Sequence, residues 1–438
     1  MNSRFSRRSC VQSTAAVVAA STLPSWFVED ISAAQAATLT ANDKPGVALV
    51  GCGGRGKAVM REAALHGDVV AYCDVDDARL AQAKELWPSA TALKDFRKVL
   101  EHKDVDVVVN GTPDHWHTLV NIAALKAGKD VYSEKPLTLT IDEGKRLVEV
   151  VRSTKGILQT GSQQRSDAKF RLACELVRNG RLGKLQQVNV WLPSGRREGP
   201  FEPKIVPAGL DWDMWQGQTP AVDYVPERTH TTFRYWWEYS GGTMTDWGAH
   251  HLDIAQWGTG NDRSGPASIE AKPLVQMIPG GFTAYSDYEV NYAYADGVKL
   301  ICKSTTANNW SGGVVDKNGQ QHGVKFEGTN GWIFVTRGRI EASDPELLTT
   351  PLPSDAKRLY FSENHMRNFF DCVRSREAPI CDAEIGHRSV SVCHLGVIAL
   401  RLGRKLQWDP AKEQFVGDRD ADRWLSREMR KPWTYDAV

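Results

Sequence analysis

Asp246 and His250 lie four residues apart within residues 241–253, and Asp253 follows three residues after His250. If residues 244–257 form one helix, these three side chains share a face, because positions i, i+4 and i+7 line up along a helix. A carboxylate one turn before an imidazole can orient the ring and stabilise its protonated form. The spacing therefore predicts a general base that removes a hydroxyl proton.

Zinc is the alternative at this segment, since His250, His251 and Asp253 are all metal-ligand types. Neighbouring helical residues diverge by about 100°, so the two histidines point in different directions. No third ligand has a suitable spacing. We therefore predict no metal and a packed His251, with substrate contact as the other role for this histidine.

A glycine-rich string, Gly51-Cys52-Gly53-Gly54-Arg55-Gly56, directly follows the apolar run 46–50, and Asp74 ends the next apolar run. Glycines permit a tight turn, a pyrophosphate lies on the amino end of the following helix, and an acid about twenty residues later accepts the ribose hydroxyls. The pattern predicts a nicotinamide dinucleotide site, with an ordinary glycine turn as the alternative. Asp74 favours NAD, whereas Arg55 leaves NADP open because arginine also binds phosphate.

Two further strings, Thr112-Pro113-Asp114 and Glu134-Lys135-Pro136, fall where strands of a parallel sheet end, and ligands bind at that edge. A surface ion pair beside a turn proline is the alternative for the second string. Helix capping is the predicted role of Asp114 and the alternative for His117. The predicted cofactor contacts are Gly51, Gly53, Gly54, Arg55, Gly56, Asp74, Thr112, Pro113, His117, Glu134, Lys135 and Gln163.

Alternating strand and helix patterns between residues 46 and 161 predict the elements that position these strings. They indicate a parallel sheet with helices on both faces. The predicted strands are 46–51, 68–73, 105–110, 130–133 and 157–161, and the predicted helices include 115–127 and 141–152.

After Gly161 the pattern changes, and residues 193–232 are rich in Pro, Gly and Trp, which is typical of a functional loop or lid. Polar turns between residues 268 and 336, including 316–319, predict a second domain with several antiparallel strands. The other elements predicted after Gly161 are a helix over 168–179, a strand over 187–192, and helices over 365–375 and 387–402.

The chain has 438 residues, 41% of them hydrophobic, which is enough for two domains. Its 54 basic and 53 acidic residues nearly balance, so we expect no nucleic-acid or membrane-surface partner. The cysteines that follow residue 36 are scattered without a C-x-x-C pair. They therefore indicate buried apolar side chains rather than disulfides or a metal site.

The first residues predict where the protein works. Ser6-Arg7-Arg8-Ser9-Cys10-Val11 precedes a weakly apolar stretch over 15–28 and a small-residue cleavage signal, Ala34-Gln35-Ala36. This pattern is typical of a twin-arginine export peptide, and it predicts a periplasmic or otherwise exported protein without a membrane anchor. A cytoplasmic amino tail is the alternative. The predicted units are a signal peptide (1–36), a dinucleotide-binding domain (43–165), a substrate and oligomerisation domain (166–405) and a carboxy-terminal tail (406–438).

With these strings in place, the chain resembles the glucose-fructose oxidoreductase/inositol dehydrogenase family, also called the Gfo/Idh/MocA family. The resemblance covers essentially the whole chain after the signal. It implies an amino-terminal Rossmann domain and a carboxy-terminal α/β domain, whose largely antiparallel open sheet commonly supports a homo-oligomer. The export signal, the Trp-rich insertion 210–237 and the ending 427–433 resemble exported members whose substrates are mostly unassigned.

By this resemblance Lys135 is the active-site lysine, while Asp246 and His250 match the family's catalytic Asp and His. The resemblance implies NAD or NADP as cofactor and a sugar, cyclitol or derivative as substrate. We expect His250 to take the hydroxyl proton, Asp246 to orient His250, and Lys135 to hydrogen-bond the developing alkoxide. The predicted substrate contacts are Arg165, Trp236 and Asp253. Capping of a strand end is the alternative for Arg165, and core packing is the alternative for Trp236.

Two rival functions stay open. Some relatives are NAD-dependent glycosidases, in which transient oxidation of a sugar carbon enables elimination. Another relative is a transcriptional co-regulator that senses nucleotide without catalysis. The presence of Lys135, Asp246 and His250 argues against the second function.

Overall fold

The computed structural model describes residues 23–28, 44–305 and 321–436, which two sheets organise into two domains. The twin-arginine motif, the predicted cleavage signal at Ala34-Gln35-Ala36 and the predicted turn 316–319 lie outside the described residues. Residues 23–28 belong to the predicted signal peptide, yet they pack against the second domain.

Buried apolar strands build the first sheet, and every residue of its two central strands is buried, as expected for parallel strands covered on both faces. All pairs in this sheet are parallel, and the order β3-β2-β1-β4-β5-β6 is that of a Rossmann domain. The predicted parallel sheet is therefore confirmed. The strands in the described residues are β1 (Gly46–Val50), β2 (Asp68–Cys73), β3 (Thr91–Leu93), β4 (Val107–Asn110), β5 (Asp130–Ser133) and β6 (Leu158–Thr160).

The sequence patterns gave no prediction of β3, because this strand is three residues long and largely exposed. Helices cover both faces of the sheet. They are α1 (Gly54–Ala63), α2 (Asp77–Leu86), α3 (Phe96–Leu100), α4 (Asp114–Lys126) and α5 (Ile141–Thr154).

The second sheet is mixed. Its order is β13-β12-β11-β7-β10-β9-β8-β14-β15, and β7 with β10 is its parallel pair among the described strands. The described strands are β7 (Leu185–Pro193), β8 (Ser268–Pro273), β9 (Tyr288–Ala293), β10 (Lys299–Thr305), β11 (Gly323–Gly328), β12 (Gly331–Thr336), β13 (Arg339–Ala342), β14 (Leu406–Asp409) and β15 (Gln414–Phe415). The last two come from the predicted tail, so its first part completes this sheet.

The remaining helices pack on the second sheet, bridge the domains or form short turns. They are α6 (Ala168–Arg178), α7 (Trp212–Gln216), α8 (Thr243–Asp246), α9 (Gly248–Thr259), α10 (Glu346–Thr349), α11 (His365–Ser375), α12 (Ala383–Leu402) and α13 (Arg419–Asp422). The single helix over 244–257, on which the shared face of Asp246, His250 and Asp253 depends, is interrupted at Trp247, between α8 and α9.

Two helices from the second half of the chain hold the domains together. Phe369 and Phe370 of α11 are fully buried in the core under the first sheet, so this part of the predicted 166–405 domain completes the first domain. Helix α12 packs against α5, where a Cβ at Gly144 would lie 1.9 Å from the Nδ1 atom of His387. The missing side chain at Gly144 therefore allows the two helices to approach closely.

The last described residues return to the first domain. Arg430 donates a hydrogen bond from its Nε atom to the Gly217 carbonyl at 2.9 Å, just after α7, and pairs with Asp213 of α7. The Trp433 ring lies 4.9 Å from the Trp116 ring of α4. The chain's end thus packs at once on the Trp-rich insertion and on the dinucleotide-binding domain.

The seven cysteines of the described ranges are all buried and unpaired, in line with their predicted role as apolar side chains. Across residues 23–28, 44–305 and 321–436, no helix combines the length and hydropathy that a membrane span requires. The same residues contain no group of three His, Cys, Asp or Glu side chains placed to hold a metal ion.

Phe369→Ala is expected to destabilise the first domain by about 3–5 kcal/mol, because it leaves a cavity between the Tyr132 and Phe370 rings. Urea unfolding, with hydrogen exchange of β1 and β4, measures this loss. Arg367→Ala on the exposed side of the same helix is the control and should cost under about 0.5 kcal/mol. Equal losses for the two variants would contradict the assignment of α11 to the first domain.

Candidate active site

The glycine-rich string forms the turn between β1 and α1. Gly51 has a φ of 90°, and a Cβ there would lie 2.6 Å from the Gly111 backbone, so only glycine fits. A Cβ at Gly53 or Gly54 would meet nothing within 4 Å. No side chain caps the amino end of α1, so its backbone amides are available to an anion.

Asp74 follows β2 and faces the same turn. Its carboxylate accepts hydrogen bonds from the backbone N–H groups of Cys52, at 2.7 Å, and Asp76, at 3.0 Å. Burial raises the pKa of Asp74 to about 6. Each carboxylate oxygen keeps a further lone pair, and Asp74 lines a cleft that both domains border, so it can also accept hydrogen bonds from ribose hydroxyls.

Arg55 lines the same cleft and is bonded to Glu134. Its Nε atom donates to the Oε1 atom of Glu134 at 2.9 Å, and Gln163 contacts the same oxygen at 3.4 Å. Glu134 is buried whereas Arg55 is partly exposed. The three predicted cofactor contacts therefore form one cluster beside Lys135, and the Arg55 guanidinium is engaged by an internal carboxylate.

Thr112 and Pro113, which were predicted to contact the cofactor, follow β4 and line the cleft. His117 also borders the cleft, but its Nδ1 atom lies 2.7 Å from the Pro136 carbonyl and its Nε2 atom 2.9 Å from the Thr112 carbonyl. Since both ring nitrogens face the backbone, His117 joins two loops rather than offering a nitrogen to a cofactor.

The predicted capping role of Asp114 is wrong. Pro113 occupies the cap position, and the buried Asp114 carboxylate accepts a hydrogen bond from the Ser240 hydroxyl of the second domain. Burial raises the pKa of Asp114, against the opposing effects of His117 and Arg234.

Lys135 and Asp246 meet across the domain boundary. The Lys135 ammonium donates to the Oδ1 atom of Asp246 and, at 3.1 Å, to its backbone carbonyl. Arg234 lies 3.4 Å from the same carboxylate. Burial opposes ionisation of Asp246, but Lys135 and Arg234 outweigh it and hold its pKa at about 2. The carboxylate is therefore ionised at neutral pH and lies beside two cations, which leaves the cluster with a net positive charge.

This contact also explains the helix break. In a continuous helix the Asp246 carbonyl would accept the His250 amide, but here it accepts the Lys135 ammonium. The His250 amide donates instead to the Trp247 carbonyl at 3.0 Å. The predicted orientation of His250 by Asp246 is corrected accordingly: the carboxylate faces Lys135 and Arg234.

His250 is buried, and its Nδ1 atom has no hydrogen-bond partner in the described part of the protein. Burial lowers the pKa of His250 well below its usual value, and the Lys135 charge lowers it further. The imidazole is therefore neutral at physiological pH, which is the form a proton acceptor needs. His251 is fully buried and contacts His322 at 2.8 Å, so it packs as predicted.

The predicted substrate contacts, Arg165, Trp236 and Asp253, are buried in the interior of the protein rather than exposed in the cleft. The Arg165 guanidinium and the Asp253 carboxylate are both buried and form three hydrogen bonds with each other, and Ser389 donates to the same carboxylate. Trp236 packs in an aromatic cluster, and the Arg228 guanidinium lies 3.8 Å from the centre of its ring. Neither charge of the ion pair is available to substrate, so the structure corrects these assignments to structural roles.

The Trp-rich insertion supplies cleft residues that the sequence patterns did not single out. They are Met214, His230, Thr231, Phe233 and Arg234. The Trp215 carbonyl accepts hydrogen bonds from His115 and Trp116 of α4, which fixes the insertion over the cleft. In the sequence, only the length of this loop indicated a functional role. No residue spacing within the loop identified Arg234 as a cleft residue.

The cleft is lined by residues of both domains. The family model for the NAD-binding Rossmann fold of the Gfo/Idh/MocA oxidoreductases matches residues 46–162. The model for the C-terminal alpha/beta domain of the same oxidoreductase family matches residues 189–435. The chain belongs to this family, Gfo/Idh/MocA. It is therefore an oxidoreductase with an NAD-binding Rossmann domain, and its relatives include an inositol dehydrogenase.

Relatives of known name agree with this family. Myo-inositol 2-dehydrogenase of Thermotoga maritima is 27% identical over 78% of this chain and 91% of the relative. The WlbA dehydrogenase of Bordetella pertussis, solved with NADH and UDP-GlcNAcA, is 20% identical with a TM-score of 0.62, over 84% of this chain and 99% of that chain. Aldose-aldose oxidoreductase of Caulobacter crescentus, solved with glycerol, is 18% identical with a TM-score of 0.59, over 83% of this chain and 100% of that chain.

The residues present fit NAD. The open surface at Gly53 and Gly54 and the uncapped amino end of α1 suit a pyrophosphate, and Asp74 suits an unphosphorylated ribose. With Arg55 engaged by Glu134, we expect Asp74 to favour NAD over NADP.

Asp74→Ser is expected to reduce the preference for NAD over NADP by about tenfold, since it removes the charge that repels a 2′-phosphate. Titration of the purified protein with each nucleotide measures this ratio. Asp68→Ser, at the exposed opposite end of β2, is the control and should leave the ratio unchanged. Tighter binding of NADP than of NAD by the unmodified protein would contradict the role of Asp74.

Proposed function

We propose that this enzyme oxidises a secondary hydroxyl of a sugar, cyclitol or glycoside. The observation that carries the proposal is the partly buried Lys135–Asp246 pair at the edge of the dinucleotide cleft, together with the neutral His250. The similarity to an inositol dehydrogenase supports a polyol or carbohydrate substrate.

NAD bound in the cleft supplies the hydride acceptor. His250 accepts the hydroxyl proton, because its lowered pKa keeps the imidazole ring neutral. Lys135 donates a hydrogen bond to the oxygen that becomes negative, and Asp246 holds the ammonium in position. Arg234 places a second positive charge beside this carboxylate and connects it to the insertion.

The proposed activity is tested by incubating the purified protein with NAD and a panel of cyclitols, aldoses, uronates and glycosides. The assay follows nicotinamide reduction, and mass spectrometry of the products locates the oxidised carbon. A substrate that gives lasting reduction and a keto product supports the proposal. Full activity of His250→Ala on such a substrate would contradict the proposed base.

Lys135→Ala and His250→Ala are each expected to lower kcat by roughly 10²-fold or more while NAD binding persists. Asp246→Asn should lower kcat through Lys135, so the double variant Lys135→Ala/Asp246→Asn should lose little more than Lys135→Ala alone.

Lys145→Ala is the matched lysine control, because Lys145 pairs with Asp142 on α5, and it should retain activity. His251→Ala is not a neutral control, since His251 is buried against His322. Additive losses in the Lys135 and Asp246 variants would contradict a shared role.

We further propose, as a second candidate, a redox-neutral reaction in an exported protein. The motif Ser6-Arg7-Arg8 supports twin-arginine export, which carries folded proteins and so allows a cofactor to travel inside its enzyme. Outside the cytoplasm no dinucleotide pool recharges the enzyme, so a trapped cofactor that is reduced in one half-reaction must be reoxidised in the next. Exchange between two sugars, for which the similar aldose-aldose oxidoreductase is a precedent by name, and transient oxidation that cleaves a glycoside both meet this condition.

The second candidate predicts that protein isolated from the exported fraction retains nucleotide through gel filtration. With one substrate it should show less than one equivalent of lasting nicotinamide reduction per site. Absorbance at the nicotinamide band and mass spectrometry of the released nucleotide measure both quantities. Sustained multiple-turnover reduction of added NAD, or a wholly cytoplasmic protein, would contradict it and leave a simple dehydrogenase.

We also propose a homo-oligomer. Strands β9 and β10 alternate buried and partly exposed residues, which supports a sheet face available to a second copy.

A further inference from the structure

Residues 23–28 form a short turn that is built into the second domain. The amides of Phe27 and Val28 both donate to the Pro24 carbonyl, at 3.0 and 3.2 Å. The Phe27 side chain is 0% exposed and belongs to the hydrophobic core that also contains Phe170. A segment within the predicted export signal therefore contributes a core residue.

The groove that holds this turn is chemically matched to it. The Arg171 guanidinium of α6 lies between two rings, 4.6 Å from the centre of Phe27 and 4.9 Å from that of Phe361. The Arg358 guanidinium lies 5.8 Å from the centre of the Trp26 ring. Cations placed over aromatic faces are attracted to them, most strongly where water is excluded.

An internal carboxylate holds both arginines in place. Glu175 is buried, lies 3.3 Å from Arg171 and 3.4 Å from Arg358, and accepts a hydrogen bond from the Leu359 amide at 3.1 Å. If the Trp26–Phe27 turn were absent, this charged cluster and the surrounding apolar side chains would face water. The turn therefore shields the charged cluster and the apolar side chains of the groove from water.

We propose that the groove formed by α6 and residues 358–361 is a binding site for the chain's own Trp26–Phe27 turn, and that the folded protein retains this turn. Any processing then takes place before Leu23 rather than after Ala36. Small residues suited to a peptidase also precede the turn, at Ala19-Ala20-Ser21. Retention is compatible with export and independent of the hydride chemistry.

The direct test is the amino terminus of the natural product. The full-length gene is expressed in a host with twin-arginine export, the folded protein is purified from each cell fraction, and its intact mass is measured. Retention predicts a first residue at or before Leu23 in every folded fraction. A folded product that begins at Ala37 would overturn the proposal.

Paired variants test the groove itself. Phe27→Ala in the full chain should lower Tm by roughly 5 °C or more, because it empties a fully buried aromatic site. Ser25→Ala, on the exposed side of the same turn, is the control and should leave Tm within about 1 °C. Equal Tm values for both variants would refute the site. If Phe27→Ala does not fold, the intact mass of the unmodified protein still decides the question.

Neither result depends on catalysis, so the tests separate this inference from the proposed function. If the folded chain begins at Ala37 and oxidises a polyol, the proposal of a retained turn is contradicted and the proposed dehydrogenase activity is supported. If the turn is retained in a protein without activity on polyols, the retained turn is supported and the proposed dehydrogenase activity is contradicted.

Discussion

Lys135 and Asp246 come from different domains and meet with side chains that are 12% and 19% exposed. At this depth a charge without a partner is strongly destabilising, so each domain needs the other to satisfy its ion. The same contact occupies the Asp246 carbonyl, and the His250 amide donates to the Trp247 carbonyl instead. Arg234 then joins the Trp-rich insertion to the same carboxylate.

Such a contact works only if the two domains are held in a fixed relation. Helix α11 supplies Phe369 and Phe370 to the first domain, although it follows most of the second domain in the chain. Helix α12 lies against α5, with Gly144 leaving room for His387. The domains are therefore interleaved rather than joined by a linker. This arrangement suits chemistry in which a displacement of about 1 Å costs about 10²-fold in rate.

The sequence predicted those features that depend on neighbouring residues. The turn at Gly51, the acid at Asp74 and the buried parallel strands follow from local spacing, and the structure places them as expected. Local spacing does not predict contacts between residues that are far apart in the sequence. The i, i+4 spacing of Asp246 and His250 predicted a pair, but an ammonium 111 residues earlier in the chain competes for Asp246.

The predicted substrate contacts show the same limit. Arg165 and Asp253 are residue types that bind sugars, but in the fold each is the partner of the other. Arg234 could not be recognised, because nothing in a Trp-rich loop indicates which arginine reaches the cleft. Periodicity and spacing identify an element and its exposed chemistry, whereas the partner of a buried charge is set by tertiary packing.

The chain's last residues give the cleft a further property. Arg430 holds Asp213 and the Gly217 carbonyl, and Trp433 packs on Trp116, so the insertion is fastened to the first domain from its outer side. Lifting the insertion from the cleft breaks these contacts at the same time as those of Trp215. The insertion is therefore held over the cleft from two sides, by α4 through the Trp215 carbonyl and by the carboxy-terminal residues through Arg430.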